Sequence, residues 1–512
     1  MAAPATGAMT GGVGFRKWAG VAGGGTSQDL RTTPKASVTV AGVARSRETW
    51  SMDHATSPGP LRRIANLWAL VDLPGALGRL QAGGRSARMD IGPYPVAYTG
   101  RPATVRALLD GRLEGMAERG RFYEDISRVI GRSSLVTCEG EKHRRLRRAV
   151  APAFRREQVA AYGDLMVERA SAMAAKWADG DRVALDKEMA ALTLDIAARS
   201  LFGVDIAGEL SEFSTILETG ARIFYRLVLP RGLSDALWRN PYSPANQRLA
   251  AAQKRVDSFV SQLIAERRAQ PHQPDGGPAP NLLDFLLAAR DEDGAPLSDE
   301  EVRDQVVTFL FAGHETTAQA LTWAFVLLST HPEAERRLAE ESRSLLGRSE
   351  RDGRAESLAG KDLADLPWAR AVTSETLRLY PPAWFLSREA ATDTEVDGCP
   401  VAAGTLFLTS PLAVQRDPMY WERPLEFDPS RWLTQEVGAG PTEAYFPFGH
   451  GRRNCIGSSF ALTEVPLVLA TVLGQWMIDV AGAGTLKMRP TVTLRPRGHV
   501  YARVTRRDPP GP

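Results

Sequence analysis

The chain has 512 residues, 43% of them hydrophobic, so it is long enough for a sizeable core in one large domain or in several small ones. Its 63 basic and 60 acidic residues leave a net charge of +3, and this near balance gives no reason to expect a nucleic-acid partner. The three cysteines, Cys138, Cys399 and Cys455, are far apart. They form no Cys-x-x-Cys pair, which argues against a zinc site and against a disulfide framework and fits a reducing compartment.

The N-terminal residues 1–57 are rich in Gly, Ala, Ser and Thr and lack apolar periodicity, which predicts a disordered tail. Two alternatives stay open. The segment has few acidic residues and some arginines, as a transit peptide does, and translation could instead begin at Met52. The chain contains no run of about 18 apolar residues, so the sequence predicts no membrane anchor.

After the predicted tail, a short helix and a strand-rich segment precede a long helical region. A short helix is predicted at 61–71 and a strand-rich segment at 88–100. A long helical region then extends to about residue 382. Loops rich in Pro and Gly interrupt it at 230–245 and at 270–282.

The second part adds short strands. The segment 343–361 is charged and contains glycine, so it is predicted to be a solvated linker between helices. The mixed segment 383–445 contains a predicted strand at 404–410, and the alternating residues 491–507 predict a hairpin. The sequence therefore indicates a mainly α protein with small β-sheets.

One predicted helix, at 306–328, is apolar on nearly all sides and should be buried. Its polar insertion is AGHETT, residues 312–317. Gly313 lowers helix stability by about 0.8–1.0 kcal/mol relative to Ala, and the small residues there leave room beside the helix for a flat cofactor or a diatomic ligand. The Thr316 hydroxyl can donate a hydrogen bond back to the carbonyl of residue 312. The alternative interpretation is a buried helix with a polar kink.

The most informative segment is FPFGHGRRNCIG, residues 446–457. It places Cys455 between glycines at the start of an apolar run that is typical of a helix. Backbone N–H groups and the positive end of that helix are expected to lower the thiol pKa. A lone thiolate held in this way is what an axial ligand to haem iron requires. The alternatives are a structural buried cysteine and a zinc protein, and neighbouring Cys or His ligands for zinc are missing.

This loop resembles, position by position, the haem-binding loop of the cytochrome P450 family. The matching residues are Phe448, Gly449, Gly451, Arg453, Cys455 and Gly457. The resemblance extends over residues 58–512, the predicted catalytic domain. It implies a triangular, α-rich single domain with haem between the long central helix and the helix after the cysteine loop. Cys455 would be the iron ligand of a haem-thiolate monooxygenase. Pro466 lies inside that second helix and is expected to kink it.

The resemblance also implies catalytic and cofactor-binding residues elsewhere. Thr316 would hold bound dioxygen and Glu315 would relay protons, whereas His314 would point away. The segment 139–154 could otherwise be an ordinary basic helix. In it, His143 and Arg147 are four residues apart and would face the haem propionates. The residues that would bind haem b are His143, Arg147, Arg388, Arg453, Phe448 and Gly449.

A structural cluster is implied in the same way. Glu375 and Arg378 are three apart in a predicted helix, 366–380, a spacing that is usual for surface ion pairs. The family, however, has a buried Glu-x-x-Arg pair here with a third arginine, which Arg431 matches. These three residues are expected to support the cysteine loop rather than to take part in the chemistry.

The substrate pocket is expected where family members face the distal side of haem. The implied lining residues are Thr308, Phe311, Ala312, Ala383, Trp384, Phe385, Gly498 and His499. The segment 113–135 and helices near 205–240 would form a lid. This lining is apolar and aromatic, which favours an apolar small molecule as substrate.

Phrases at 120–154 and 241–249 resemble bacterial terpene oxidases of the pentalenene oxygenase kind, so the expected reaction is oxidation of a cyclic terpene with O2 in secondary metabolism. A fatty acid hydroxylase and a polyketide-tailoring oxidase are alternatives within the family. A peroxide-driven enzyme is disfavoured by the Glu315-Thr316 pair, and a non-catalytic haem-binding protein is the alternative from another class.

The resemblance implies a cytoplasmic monomer without a reductase domain of its own. Electrons from NAD(P)H would arrive through a separate ferredoxin or flavodoxin and its reductase. A basic docking surface for this partner is expected from the arginines Arg144, Arg145, Arg148 and Arg452.

Overall fold

The computed structural model describes residues 73–508 apart from 83–85, 92–93, 118, 207–235, 238–239, 270–280, 292, 352–357 and 434–442. The predicted tail at 1–57, the helix expected at 61–71 and most of the lid segment expected near 205–240 lie outside the described residues. The domain boundary at residue 57 therefore stays a prediction.

Helices make up most of the described chain, which confirms the mainly α prediction. In chain order they are α1 (Leu73–Ala82), α2 (Pro102–Leu109), α3 (Arg121–Ile130), α4 (Gly140–Val150), α5 (Arg156–Ala161), α6 (Gly163–Ala174), α7 (Leu185–Phe202), α8 (Pro244–Ala269), α9 (Leu282–Ala288), α10 (Asp299–Ser329), α11 (Pro332–Arg351), α12 (Pro367–Leu379), α13 (Pro411–Val414) and α14 (Ser458–Leu473).

The strands are short and form several small sheets. They are β1 (Ser86–Ile91), β2 (Tyr94–Thr99), β3 (Met116–Ala117), β4 (Arg182–Ala184), β5 (Leu386–Ala390), β6 (Thr394–Val396), β7 (Cys399–Val401), β8 (Leu406–Thr409), β9 (Trp476–Val480), β10 (Met488–Pro490), β11 (Leu494–Pro496) and β12 (Tyr501–Arg506). The largest sheet has the order β1-β2-β8-β5-β3. Its β2–β8 pair is parallel and its other pairs are antiparallel.

The central element is α10, whose 31 residues span about 46 Å. It begins with a capping box: the Ser298 hydroxyl accepts a hydrogen bond from the Glu301 amide, and the Glu301 carboxylate accepts one from the Ser298 amide. Residues on nearly every face of α10 are buried, because α7, α8, α12 and α14 all pack against it. The predicted buried helix at 306–328 is thus confirmed.

Two predicted segments differ from the structure. Helix α11 continues to Arg351, so the first half of the expected linker at 343–361 is helical; Leu345 and Leu346 hold it against the core. The expected hairpin at 491–507 is also wrong, because β11 pairs with β10 whereas β12 pairs with β4 and β9. Alternation indicates a strand, but it does not indicate which strand is the partner.

The second element that defines the site is α14, which follows the cysteine loop. The helix continues through Pro466 to Leu473, and its residues from Thr463 onward are buried against α6, α10, α11 and α12. A helix that is apolar on all sides stays in place through packing, which offsets the hydrogen bond lost at proline.

We expect the α14 packing to be a major contribution to stability. Leu467→Ala, at a fully buried position, should lower the free energy of unfolding by about 2–5 kcal/mol because it leaves a cavity. Leu462→Ala on the same helix is the matched control: its side chain is 39% exposed, and a change of about 0.5 kcal/mol is expected. Urea denaturation followed by circular dichroism measures both, and equal losses would contradict this account.

Candidate active site

A single cavity brings the cysteine loop and α10 together. From α10 it is lined by Thr308, Phe309, Ala312, Gly313, Thr316, Thr317 and Ala320. From the cysteine loop and α14 it is lined by Pro447, Phe448, Arg453, Asn454, Cys455, Ile456, Gly457, Phe460, Ala461 and Val465. The two segments that the sequence singled out therefore face one space, although they are far apart in the chain.

The loop before Cys455 is folded by its own backbone hydrogen bonds. The Gly449 amide donates to the Phe446 carbonyl (3.0 Å), and the Cys455 amide donates to the Phe448 carbonyl (2.9 Å). Gly451 has a φ of 68°, and a Cβ there would come within 2.7 Å of the Leu109 carbonyl oxygen at the end of α2. Glycine is thus required at position 451, both for backbone conformation and for contact with α2.

The Cys455 thiol differs from expectation in its electrostatics. Its side chain is exposed to the cavity, but the sulfur lies deep in the fold. Burial raises the thiol pKa, and this effect outweighs the Gly457 amide and the Arg147 guanidinium, which both lower it. The predicted lowering of the pKa by a loop amide is therefore present, but burial outweighs it. A metal ion bound to the sulfur stabilises the thiolate directly.

Cationic side chains gather at one edge of the cavity. His143, Arg147 and Arg453 all line it, as predicted for the propionate-binding residues. Arg147 donates to the Asn454 carbonyl (3.0 Å) and to the Asn454 side-chain oxygen (2.6 Å), which joins α4 to the cysteine loop. Arg388 lies differently: it is buried on β5, donates to the Ser387 carbonyl (2.9 Å) and is not among the described lining residues.

Arg119 is a further cationic residue of the cavity that the sequence did not indicate. It lies in the connection between β3 and α3, and its guanidinium is 4.3 Å from the centre of the Tyr123 ring. Both residues line the cavity. No motif marks Arg119, since the segment around it contains several arginines, and only the folded chain brings this one beside Arg147.

The two predicted catalytic residues occupy different positions. The Thr316 hydroxyl lines the cavity and donates to the Ala312 carbonyl (2.6 Å), as expected from the sequence. Glu315 is buried but is not among the described lining residues. Its carboxylate accepts a hydrogen bond from the Thr493 hydroxyl (2.6 Å) and forms an ion pair with Arg495 (2.7 Å). Burial raises the Glu315 pKa, and Arg495 and Thr493 partly offset this.

His314 and Gly313 precede the two predicted catalytic residues on α10. His314 is buried outside the lining, and burial together with the positive charge of Arg495 lowers its pKa to about 3, so the ring is neutral. Gly313 lines the cavity with its backbone, but a Cβ there would lie 3.4 Å from the Ala197 Cβ on α7. Gly313 therefore lies both against α7 and on the cavity wall, where its lack of a side chain leaves room beside the helix, as expected from the sequence.

Three predicted pocket residues, Thr308, Ala312 and Ala383, line the cavity. The other five are not among its described lining residues. Phe311 packs in the main core, because successive helix residues point about 100° apart. The Trp384 indole donates to the Thr491 carbonyl (2.9 Å) in a second apolar cluster, and Phe385 stacks edge-on with Phe122.

The last two predicted pocket residues lie at the surface. Gly498 and His499 are exposed in the turn between β11 and β12. The His499 ring is 2.9 Å from the Asp186 carboxylate at the start of α7. Because β12 pairs with β4 rather than with β11, this turn is drawn towards α7 and away from the cavity.

The predicted structural cluster is fully buried at its centre. Glu375 and Arg378 are both 0% exposed, and Arg378 donates to the two carboxylate oxygens at 2.8 Å each. Arg431 (3.0 Å) and the Trp432 indole (2.9 Å) also donate to Glu375. The remaining Arg378 donors are satisfied by the carbonyls of Gln415, Pro424 and Glu426. The cluster therefore joins α12 to the segment that precedes the cysteine loop.

Comparison with known proteins identifies the family. The cytochrome P450 family model matches residues 80–501. The chain is 35% identical to pentalenene oxygenase of Streptomyces avermitilis, over 89% of this chain and 98% of that protein. It is 35% identical to cyclooctatin synthase of Streptomyces melanosporofaciens, over 86% and 93%. A crystal structure of CYP175A1 from Thermus thermophilus has a TM-score of 0.67 and 28% identity, covering 86% and 98%.

The chain therefore belongs to the cytochrome P450 family, and it is a monooxygenase. The predicted family and fold are confirmed. Among the described residues, no helix combines the length and apolar character that a membrane crossing needs.

The residues present fit the family's cofactor, which is haem held by a cysteine thiolate. Cys455 presents the one sulfur in the described lining, and the described residues contain no competing cluster of His, Cys, Asp and Glu. Arg119, His143, Arg147 and Arg453 supply donors for two carboxylates at one edge. The walls between are apolar, as a macrocycle requires.

We expect the buried Glu375 pair to be far more important for stability than a surface pair of the same spacing. Arg378→Met should lower the free energy of unfolding by about 3–5 kcal/mol, because it leaves a carboxylate buried without its partner. Arg336→Met breaks the exposed pair with Glu333, also three residues apart, and should leave the free energy of unfolding nearly unchanged. Denaturant titration of both variants checks this, and similar losses would refute it.

Proposed function

We propose that this monooxygenase oxidises a cyclic terpene or a similar apolar ring system in bacterial secondary metabolism. The observation that carries this proposal is the cavity itself, in which Cys455 and Thr316 face one space with mostly apolar walls. The described lining away from the cationic edge provides no charged anchor for a substrate carboxylate. A substrate without polar groups is therefore held by shape and by apolar contact.

The similarity to characterised enzymes supports the same substrate class. The relatives at 35–36% identity are named pentalenene oxygenase, cyclooctatin synthase and cyclooctat-9-en-7-ol 5-monooxygenase. A relative named leukotriene-B4 omega-hydroxylase 3, from Mus musculus, is 31% identical over 81% of this chain. Fatty acid hydroxylation is the alternative that this similarity supports.

Haem held by Cys455 supplies the oxygen chemistry of the family. Phe448 and Gly449 shape the loop that would hold it, and Arg119, His143, Arg147 and Arg453 would bind its carboxylates. The Thr316 hydroxyl, which donates to Ala312, provides a hydrogen-bonding group in the cavity. Glu315 is a proton carrier that has to leave Thr493 and Arg495 before its carboxyl group can reach the cavity.

Electrons come from NAD(P)H through a separate ferredoxin or flavodoxin and its reductase. Arg144, Arg148 and Arg452 are exposed and can contribute to a basic docking surface. Arg145 contributes less, because its partly buried guanidinium pairs with Glu301 and Asp291, whereas Arg144 and Arg148 share the exposed Glu141. The protein acts as a cytoplasmic monomer.

Haem ligation through Cys455 is tested by absorbance spectroscopy of the reduced protein with carbon monoxide. The wild type should show a strongly red-shifted Soret band, because a thiolate donates electron density to the iron. Cys455→Ser should lose this band. Cys399→Ser, at a buried cysteine that does not line the cavity, is the control and should keep it. A normal Soret band in the wild type would exclude thiolate ligation.

The substrate class is tested by titrating the purified protein with cyclic sesquiterpenes and diterpenes and, in parallel, with saturated fatty acids. A cyclic terpene should change the iron spin state and give an oxidised product with NADPH, a ferredoxin and its reductase. Product mass spectra should show one added oxygen. If only the fatty acids produce the spectral change and a product, the terpene proposal is wrong and the alternative holds.

A further inference from the structure

The connection between α3 and α4, residues 131–139, forms one wall of the cavity and is called the wall loop below. Its residues Leu135 and Val136 line the cavity. Ser133, Ser134 and Leu135 are 5%, 0% and 6% exposed, so the wall loop is buried. Loops usually run over the surface, because a buried loop has backbone N–H and C=O groups that need partners. In this protein, side chains of α10 supply several of those partners.

The Gln305 side chain pairs with the wall loop twice. Its carboxamide oxygen accepts a hydrogen bond from the Leu135 amide (2.9 Å), and its carboxamide nitrogen donates to the Ser133 carbonyl (2.5 Å). Gln305 is 0% exposed, so water does not compete for these two bonds. One neutral side chain of α10 thus satisfies two backbone groups of a loop that lies about 170 residues earlier in the chain.

Two neighbours of this glutamine on α10 add to the attachment. The Asp304 carboxylate accepts a hydrogen bond from the Ser133 amide (2.8 Å), and the hydroxyls of Thr308 and Ser134 are 2.7 Å apart. The three α10 residues lie within about 100° around the helix, so they face the loop together. Gly131 has a φ of 95°, and a Cβ there would lie 2.0 Å from the Asp304 carboxyl carbon. The wall loop therefore packs directly on α10.

The wall loop is also bonded on its other side. The Leu135 carbonyl accepts a hydrogen bond from Arg453 of the cysteine loop (3.4 Å), and the Ser133 hydroxyl accepts one from Lys142 on α4 (2.7 Å). Leu135 is thus held through its N–H by α10 and through its C=O by the cysteine loop. The family resemblance implies a lid at 113–135, but the bonds at the end of that segment are those of a fixed wall.

We propose that Gln305 is a specificity-determining positioning residue that, together with Asp304, keeps the wall loop rigid so that Leu135 and Val136 sort substrates by shape. A rigid ring system gains from a wall that is already in place, because binding then orders neither partner. A flexible chain loses conformational freedom when it is confined against the same wall. This inference rests on the proposed function and names the residues that would select within its substrate class.

The rigidity of the wall loop is tested without turnover, by hydrogen exchange and mass spectrometry of the purified haem protein. The peptide that covers 131–139 should exchange slowly in the wild type. Gln305→Met should speed its exchange about tenfold, because the Leu135 amide loses its acceptor. Gln253→Met is the matched control: it removes a bond to the Arg128 carbonyl at the end of α3 (3.0 Å) and should leave the wall loop unchanged. Fast exchange in the wild type would overturn the proposal.

The two roles of Asp304 are separated by a pair of variants. Asp304→Asn keeps an acceptor for the Ser133 amide but loses the ion pair with Arg303 (2.7 Å), and it should retain slow exchange. Asp304→Leu loses both interactions and should accelerate exchange. If the two variants behave alike, the loop bond is not what matters and the proposal is wrong. This pair also decides the question if Gln305→Met does not fold.

The effect on selectivity is tested with two ligands of different size, imidazole and 4-phenylimidazole, titrated by absorbance. Imidazole should bind equally to the wild type and to Gln305→Met, whereas 4-phenylimidazole should bind the variant about tenfold more weakly, because its ring packs against the wall. With a cyclic terpene, KM should rise and kcat should stay nearly the same, since the lost contact is a binding contact. Equal changes for both azoles, or a fall in kcat alone, would contradict a positioning role.

Failure of this inference and failure of the proposed function give different results. Hydrogen exchange and azole binding require no product. If no terpene is oxidised but Gln305→Met loosens the wall loop and weakens 4-phenylimidazole binding, the proposed substrate class is wrong and the role of Gln305 holds. If terpenes are oxidised and Gln305→Met leaves exchange, azole binding and KM unchanged, the role of Gln305 is wrong and the proposed function holds.

Discussion

The structure depends on holding one sulfur atom opposite the middle of one long helix. Cys455 has to face α10 across an apolar gap, and neither segment can do this alone. The cysteine loop has its shape because Gly449 and Gly451 adopt backbone conformations that other residues disfavour, and because Gly451 permits direct contact with α2. Helix α14 then fixes the loop from the other end through burial of nearly all its side chains.

Buried charge provides the second support for this arrangement. Glu375 accepts hydrogen bonds from Arg378, Arg431 and Trp432, and Arg378 uses its other donors on backbone carbonyls. Such a network tolerates burial because the Glu375 carboxylate and the Arg378 guanidinium at its centre are satisfied. It crosses from α12 to the chain that leads into the cysteine loop, so the position of the thiol is coupled to this cluster.

Two acids near α10 show how environment, rather than residue type, sets the state of a carboxyl group. Glu375 is paired and hydrogen-bonded on all sides. Glu315 is buried beside Arg495. The first is suited to structure, and the second to a charge that can be released.

The sequence by itself determined the family, the loop that presents Cys455 to the cavity, the buried central helix and the Glu375 cluster. These follow from short, specific patterns or from apolar character along one helix, which are local properties. Tertiary structure alone decided which side chains reach the cavity. Arg119 enters it and Trp384 does not, because strand pairing and helix rotation set the direction of each side chain. The turn at His499 lies beside α7 because β12 pairs with β4. Alternation along a strand does not indicate such a long-range pairing.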